Sequence, residues 1–181
     1  MDSQAFEGER RVRVFLPERY RLDTTRNLSS PMCLTLSQIC SGIWRKQHQL
    51  PCHNFQIIPT IVVGIVSDNR GYEFNPENGE LHEHLKNEVF PLIEANYRVG
   101  TFRALIGHSW GGAFVGNTLF GEHSDLFDAY IGISPSLDAI DGRIFRHADS
   151  MLQKGLPKGK FFIALRKCGQ AGNRIHRKCR A

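Results

Sequence analysis

With 181 residues, 41% of them hydrophobic, the chain has the size and make-up of a single globular domain, residues 1–181, with a sizeable core. No run of 18 apolar residues occurs, which excludes a membrane-spanning helix. The net charge of +5 belongs to one end: residues 152–181 hold nine of the 23 Lys and Arg and none of the 18 acids, so the first 151 residues are net acidic and no nucleic-acid partner is expected.

The N-terminal Met1-Asp2-Ser3-Gln4-Ala5-Phe6-Glu7 lacks the basic and apolar regions of a signal peptide, and five cysteines, an odd number, suit a reducing compartment. A cytoplasmic location is therefore expected. Arg11 to Pro17 alternates charged and apolar residues before a proline, the pattern of an early strand near a sheet edge. Pro31 to Leu36 reads as a weak strand only. Ile57 to Val66 is a nearly continuous β-branched run, as in a strand buried on both faces. Ser67 to Gly71 follows as a turn at that strand's C-terminal end, where open α/β sheets bind ligands.

Leu81, Leu85, Val89, Leu92 and Ile93 recur at three- and four-residue steps, which predicts an amphipathic helix from Leu81 to Tyr97 kinked at Pro91. His82 and His84 lie two apart on it, cannot share a face to hold a metal, and are expected at the solvated surface. Phe102 to Gly107 is the next predicted strand and Trp110 to Phe120 the next helix. Ala129 to Ile133 is a further strand, Ile144 to Leu152 a short helix, and Lys160 to Leu165 a last strand. Strands alternating with helices give a mainly parallel sheet with crossover helices. No metal or cofactor is called for.

Between the fourth of these strands and its helix stands Gly107-His108-Ser109-Trp110-Gly111-Gly112. This has the form of a nucleophile elbow, in which a serine is lifted onto a sharp strand-to-helix turn and the flanking glycines permit strained, close-packed backbone. Such a serine needs a histidine to take its proton and a carboxylate to orient that histidine. In this arrangement the chain order is Ser, then Asp or Glu, then His. The backbone N–H of Trp110 would supply half of an oxyanion hole, and the loop after the third strand the other half.

Thr60 to Val66, Leu92 to Arg98, Leu105 to Gly112, Leu126 to Ser136 and Phe162 to Ala164, with Arg11 to Pro17 as an opening strand, together resemble the putative esterase family of α/β-hydrolases. That family includes esterase D-like and enterochelin-esterase-like enzymes. The resemblance implies an α/β-hydrolase-like fold, truncated at this length, with Ser109 as nucleophile and carboxylic esters as substrates. Two segments depart from the pattern. Residues 24–56 contain no acid and leave the second oxyanion donor unplaced, and residues 166–181 lack the expected triad carboxylate; all five cysteines fall between Thr24 and Val66 or after Asp149. His176 is the sole histidine beyond the last strand and so the candidate base. Asp138, Asp141 and His147 form a weaker substitute set, and His108, beside the serine, should point away from it. The expected function is ester hydrolysis through Ser109. The alternative is a catalytically impaired or fragmentary relative without the triad acid and base.

Overall fold

A computed structural model of the chain describes residues 1–17, 20, 30–36, 60–75, 79–137, 139–155 and 160–164. Its centre is a six-stranded sheet. In chain order the strands are β3 (Val12–Phe15), β4 (Ser30–Thr35), β5 (Ile61–Ile65), β6 (Val99–His108), β7 (Ala129–Ile133) and β8 (Lys160–Ala164), preceded by a small antiparallel ribbon of β1 (Asp2–Ser3) and β2 (Gly8–Glu9). Across the sheet the order is β3-β5-β4-β6-β7-β8. β3 runs antiparallel to β5 at one edge, and the other pairings are parallel.

Parallel neighbours need crossover connections, and these supply the helices. Between β5 and β6 run α1 (Arg70–Glu73), α2 (Glu80–His84) and α3 (Phe90–Asn96); α4 (Trp110–Phe120) links β6 to β7, and α5 (Ala139–Lys154) lies between β7 and β8. The mixed, mostly parallel sheet with helical crossovers is the α/β-hydrolase-like fold expected from the sequence.

β5 is buried at every position, as its β-branched run requires. The departure is β4. It reads weakly in sequence, yet it occupies the middle of the sheet between β5 and β6, with Met32, Cys33, Leu34 and Thr35 all buried. Its side chains sort by the strand period of two. Met32, Leu34 and Leu36 join the large core with Ile61, Val63, Leu105, Phe114 and Tyr130, while Cys33 joins Val62 and Ile106 in a smaller cluster.

The predicted helix from Leu81 to Tyr97 is present, but its irregularity precedes Pro91 instead of falling on it. Leu85–Val89 forms a π-helical turn between α2 and α3, in which the Phe90 N–H donates to Leu85 O. Pro91 has no N–H and its ring would press on the carbonyl four residues back; the widened turn relieves both.

The surface placement of His82 and His84 is overturned, since the two side chains are 3% and 1% exposed. His84 Nδ1 lies 2.7 Å from Glu88 Oε2 and 3.1 Å from Ser3 Oγ. The N-terminal ribbon is thereby fastened onto the helix, and the Gln4 and Ala5 N–H groups donate to Glu88 Oε1. His82 turns the other way, onto α4. Histidine at these spacings reads as polar surface, and only the elements packed on both sides make it interior. No helix among the described residues is long and apolar enough to cross a membrane.

Candidate active site

The elbow forms where β6 ends and α4 begins. Ser109 has φ 57 and ψ −117, a conformation that costs a non-glycine residue about 1–3 kcal/mol and persists when its surroundings over-determine it. Those surroundings are visible. A Cβ on Gly107 would lie 2.0 Å from Gly111 O, so only glycine lets the strand end and the first turn of α4 approach this closely. The Ser109 N–H donates to Ile133 O at 3.1 Å, and Ser109 O accepts from the Ala113 and Ser136 N–H groups at 3.0 and 3.1 Å.

Three other segments close around the turn. From the end of β4, the Leu36 N–H donates to Ile106 O at 3.0 Å, and Leu36 packs against Gly111. From α1, Arg70 Nη2 donates to His108 O at 3.0 Å and its guanidinium sits 5.5 Å from the Phe74 ring centre. Asn69 caps α1 by accepting from the Tyr72 N–H. From the bend after β7, Ser136 Oγ shares a 3.3 Å hydrogen bond with Ser109 Oγ.

Arg70 and Ser136 were not singled out from sequence. The available signal was position: both follow the C-terminal ends of parallel strands, β5 and β7, the edge of the sheet at which the elbow itself stands.

The residues proposed from sequence fare differently. Trp110 opens α4, 36% exposed, and its N–H belongs to the first helical turn, whose amides have no acceptor within the helix. His108 Nδ1 is buried without a hydrogen-bond partner, and its ring does not bond to Ser109. His147 lies in α5 with a buried, unpartnered Nδ1, and makes no hydrogen bond to Ser109 either. Burial, then the charges of Arg143 and Arg146, hold its pKa below the ordinary histidine value. His176, Asp138, the residues after Leu36 that would carry the second oxyanion donor, and four of the five cysteines lie outside the described residues. Asp141 falls within α5. Among the described residues, then, the hydroxyl partner of Ser109 is Ser136, and no group of three metal-ligating side chains is found.

A family model described as "Putative esterase" matches residues 3–171. Among solved structures, an IroE-like serine hydrolase from Shewanella oneidensis is 21% identical with a TM-score of 0.70, the match covering 90% of this chain and 58% of that one. The siderophore hydrolase EstB from Aspergillus nidulans is 19% identical with a TM-score of 0.78, over 96% of this chain and 72% of that one. The BES protein from Bacillus cereus is 16% identical with a TM-score of 0.74, over 90% and 72%. At these identities the structures establish a shared fold. The chain spans little more than half the length of the Shewanella protein. No curated protein sequence matches it.

Proposed function

The chain belongs to the putative esterase family, and from that premise we propose that it hydrolyses carboxylic esters with Ser109 as nucleophile. The observation that carries the reading is the backbone of Ser109 itself, a positive-φ serine held between β6 and α4 by the Gly107–Gly111 contact. Ser109 Oγ attacks the ester carbonyl carbon and gives its proton to a base. The tetrahedral oxyanion collapses, the carbonyl–alkoxy bond breaks, and the alcohol leaves with that proton. Water then attacks the acyl-serine in the same way, releasing the carboxylic acid and restoring the hydroxyl.

In this reading the Trp110 N–H is one oxyanion donor and His176, which lies beyond the matched stretch, is the base. The Shewanella neighbour is described as a serine hydrolase and the Aspergillus one as a siderophore hydrolase; a small ester as substrate here agrees with both. A second reading, an impaired relative that keeps the elbow without a working base, is favoured by one observation: the Ser109 hydroxyl is paired with another serine.

Labelling by a fluorophosphonate and turnover of a short-chain aryl ester separate the two. The wild-type chain should do both, and Ser109→Ala should lose at least about a thousandfold of each. Absence of Ser109-dependent labelling and turnover selects the impaired relative. His176→Ala should lower both rates; unchanged rates remove His176 from the mechanism.

A further inference from the structure

The bend that follows β7 is shaped around the nucleophile. Ser134 adopts φ 41, a left-handed conformation unusual for a serine, and the Leu137 N–H closes back onto Pro135 O at 3.0 Å. Pro135 is thereby packed against Gly112, where an added Cβ would lie 2.9 Å from its Cα and Cβ. The next residue, Ser136, meets Ser109 twice, through its N–H to Ser109 O at 3.1 Å and through its hydroxyl to Ser109 Oγ at 3.3 Å. With the Ser109 N–H on Ile133 O, the elbow is tied to the end of β7 by both backbone groups and by its side chain.

We infer that Ser136 is a positioning residue for Ser109, its hydroxyl donating to Ser109 Oγ. The inference rests on Ser109 being the nucleophile. A serine hydroxyl rotates among three staggered wells, and an acceptor-only partner would hold the Ser109 proton itself, the one a base must remove. Donation from Ser136 does the opposite. It selects one Ser109 rotamer and leaves the Ser109 O–H free for the base. The backbone link between the two residues sets the distance, so the hydroxyl needs no other support.

The test measures the second-order rate of fluorophosphonate labelling at Ser109 across pH in the full chain, for wild type, Ser136→Ala, Ser136→Cys and Ser136→Thr. Loss of one hydrogen bond to the nucleophile predicts roughly five- to tenfold slower labelling in Ser136→Ala. The fall should be uniform in pH, with the thermal midpoint unchanged and the rate restored in Ser136→Thr, which keeps the hydroxyl. Ser136→Cys, with its weak donor, should fall between, and it stands in for the alanine variant if that one fails to fold. Equal rates in wild type and the Ala or Cys variant overturn the inference while leaving the hydrolase reading intact. A shifted pH inflection also overturns it, since Ser136 would then lie on the proton path. A wild-type chain that is not labelled at all overturns both.

Discussion

A single absent methyl group decides how closely α4 and α5 can pack. Gly116 lies in α4 among buried residues, and a Cβ built on it would sit 2.1 Å from Ile144 Cδ1, the far end of a flexible side chain on α5. The neighbour can move, unlike the backbone carbonyl that faces Gly107. Gly116→Ala should therefore be tolerated at a cost of about 1–3 kcal/mol from overpacking, partly offset by alanine's better helix propensity. Shortening Ile144 removes the clash. The double variant Gly116→Ala with Ile144→Ala should then be less destabilised than the sum of the two single variants by roughly 1 kcal/mol or more. Urea unfolding of the four proteins measures that coupling, and strict additivity would show that Ile144 does not fill the space above Gly116. At this scale the sequence was legible where a residue type is dictated by geometry, as at Gly107, Ser109 and Gly111. It was silent on Ser136 and Arg70, because serine and arginine are common turn residues and only the folded sheet edge brings them to the elbow.

Between elements, the contact of α2 with α4 turns on a buried imidazole. His82 Nε2 lies 3.0 Å from Thr118 Oγ1, and that hydroxyl donates its own proton to Phe114 O at 2.8 Å. The hydroxyl can then only accept, so His82 is the neutral form protonated on Nε2. Its ring stacks on Phe114 and on His123, with centroids 4.6 and 4.2 Å apart. Burial, and secondarily the charge of His123, lowers its pKa from 6.5 to about 3. The folded chain thus binds fewer protons here than the unfolded chain at any pH between those two values. Stability from this site is complete above the unfolded value, falls as pH drops below about 6.5, and levels off near the folded value. The slope is at most about 1.4 kcal/mol per pH unit. Urea midpoints taken from about pH 7 to about pH 4 should fall less steeply in His82→Gln, which keeps an N–H for Thr118 and has nothing to titrate; parallel slopes would mean that His82 protonates without unfolding. The helix carrying His82 was legible from its apolar period, but the histidine's burial was not, because periodicity locates the face already filled by leucines and says nothing of a second helix laid over the other.

The molecule as a whole assembles its candidate site from four segments far apart in sequence: the end of β4, α1, the junction of β6 with α4, and the end of β7. What joins them is the strand order, with β4 inserted between β5 and β6. That order was the least legible part of the fold. β4 lacks the β-branched run that marks β5, and its proline and cysteine weaken a pattern whose alternation of Met32, Leu34 and Leu36 against Cys33 and Thr35 becomes decisive only once both faces are covered. Leu34, 0% exposed, and Leu105, opposite it in register, belong to the same core as Phe74 at the end of α1, Phe114 of the elbow helix and Tyr130 of β7. A site whose four contributors share one core should have no private unfolding transition. Trp110 reports on the elbow directly. In a Trp44→Phe variant, which leaves Trp110 as the one remaining indole, fluorescence and far-UV circular dichroism should give the same urea midpoint. A fluorescence midpoint at lower urea would show that the elbow opens while the sheet persists, and the strained backbone of Ser109 would then be held by local contacts instead of by the shared core.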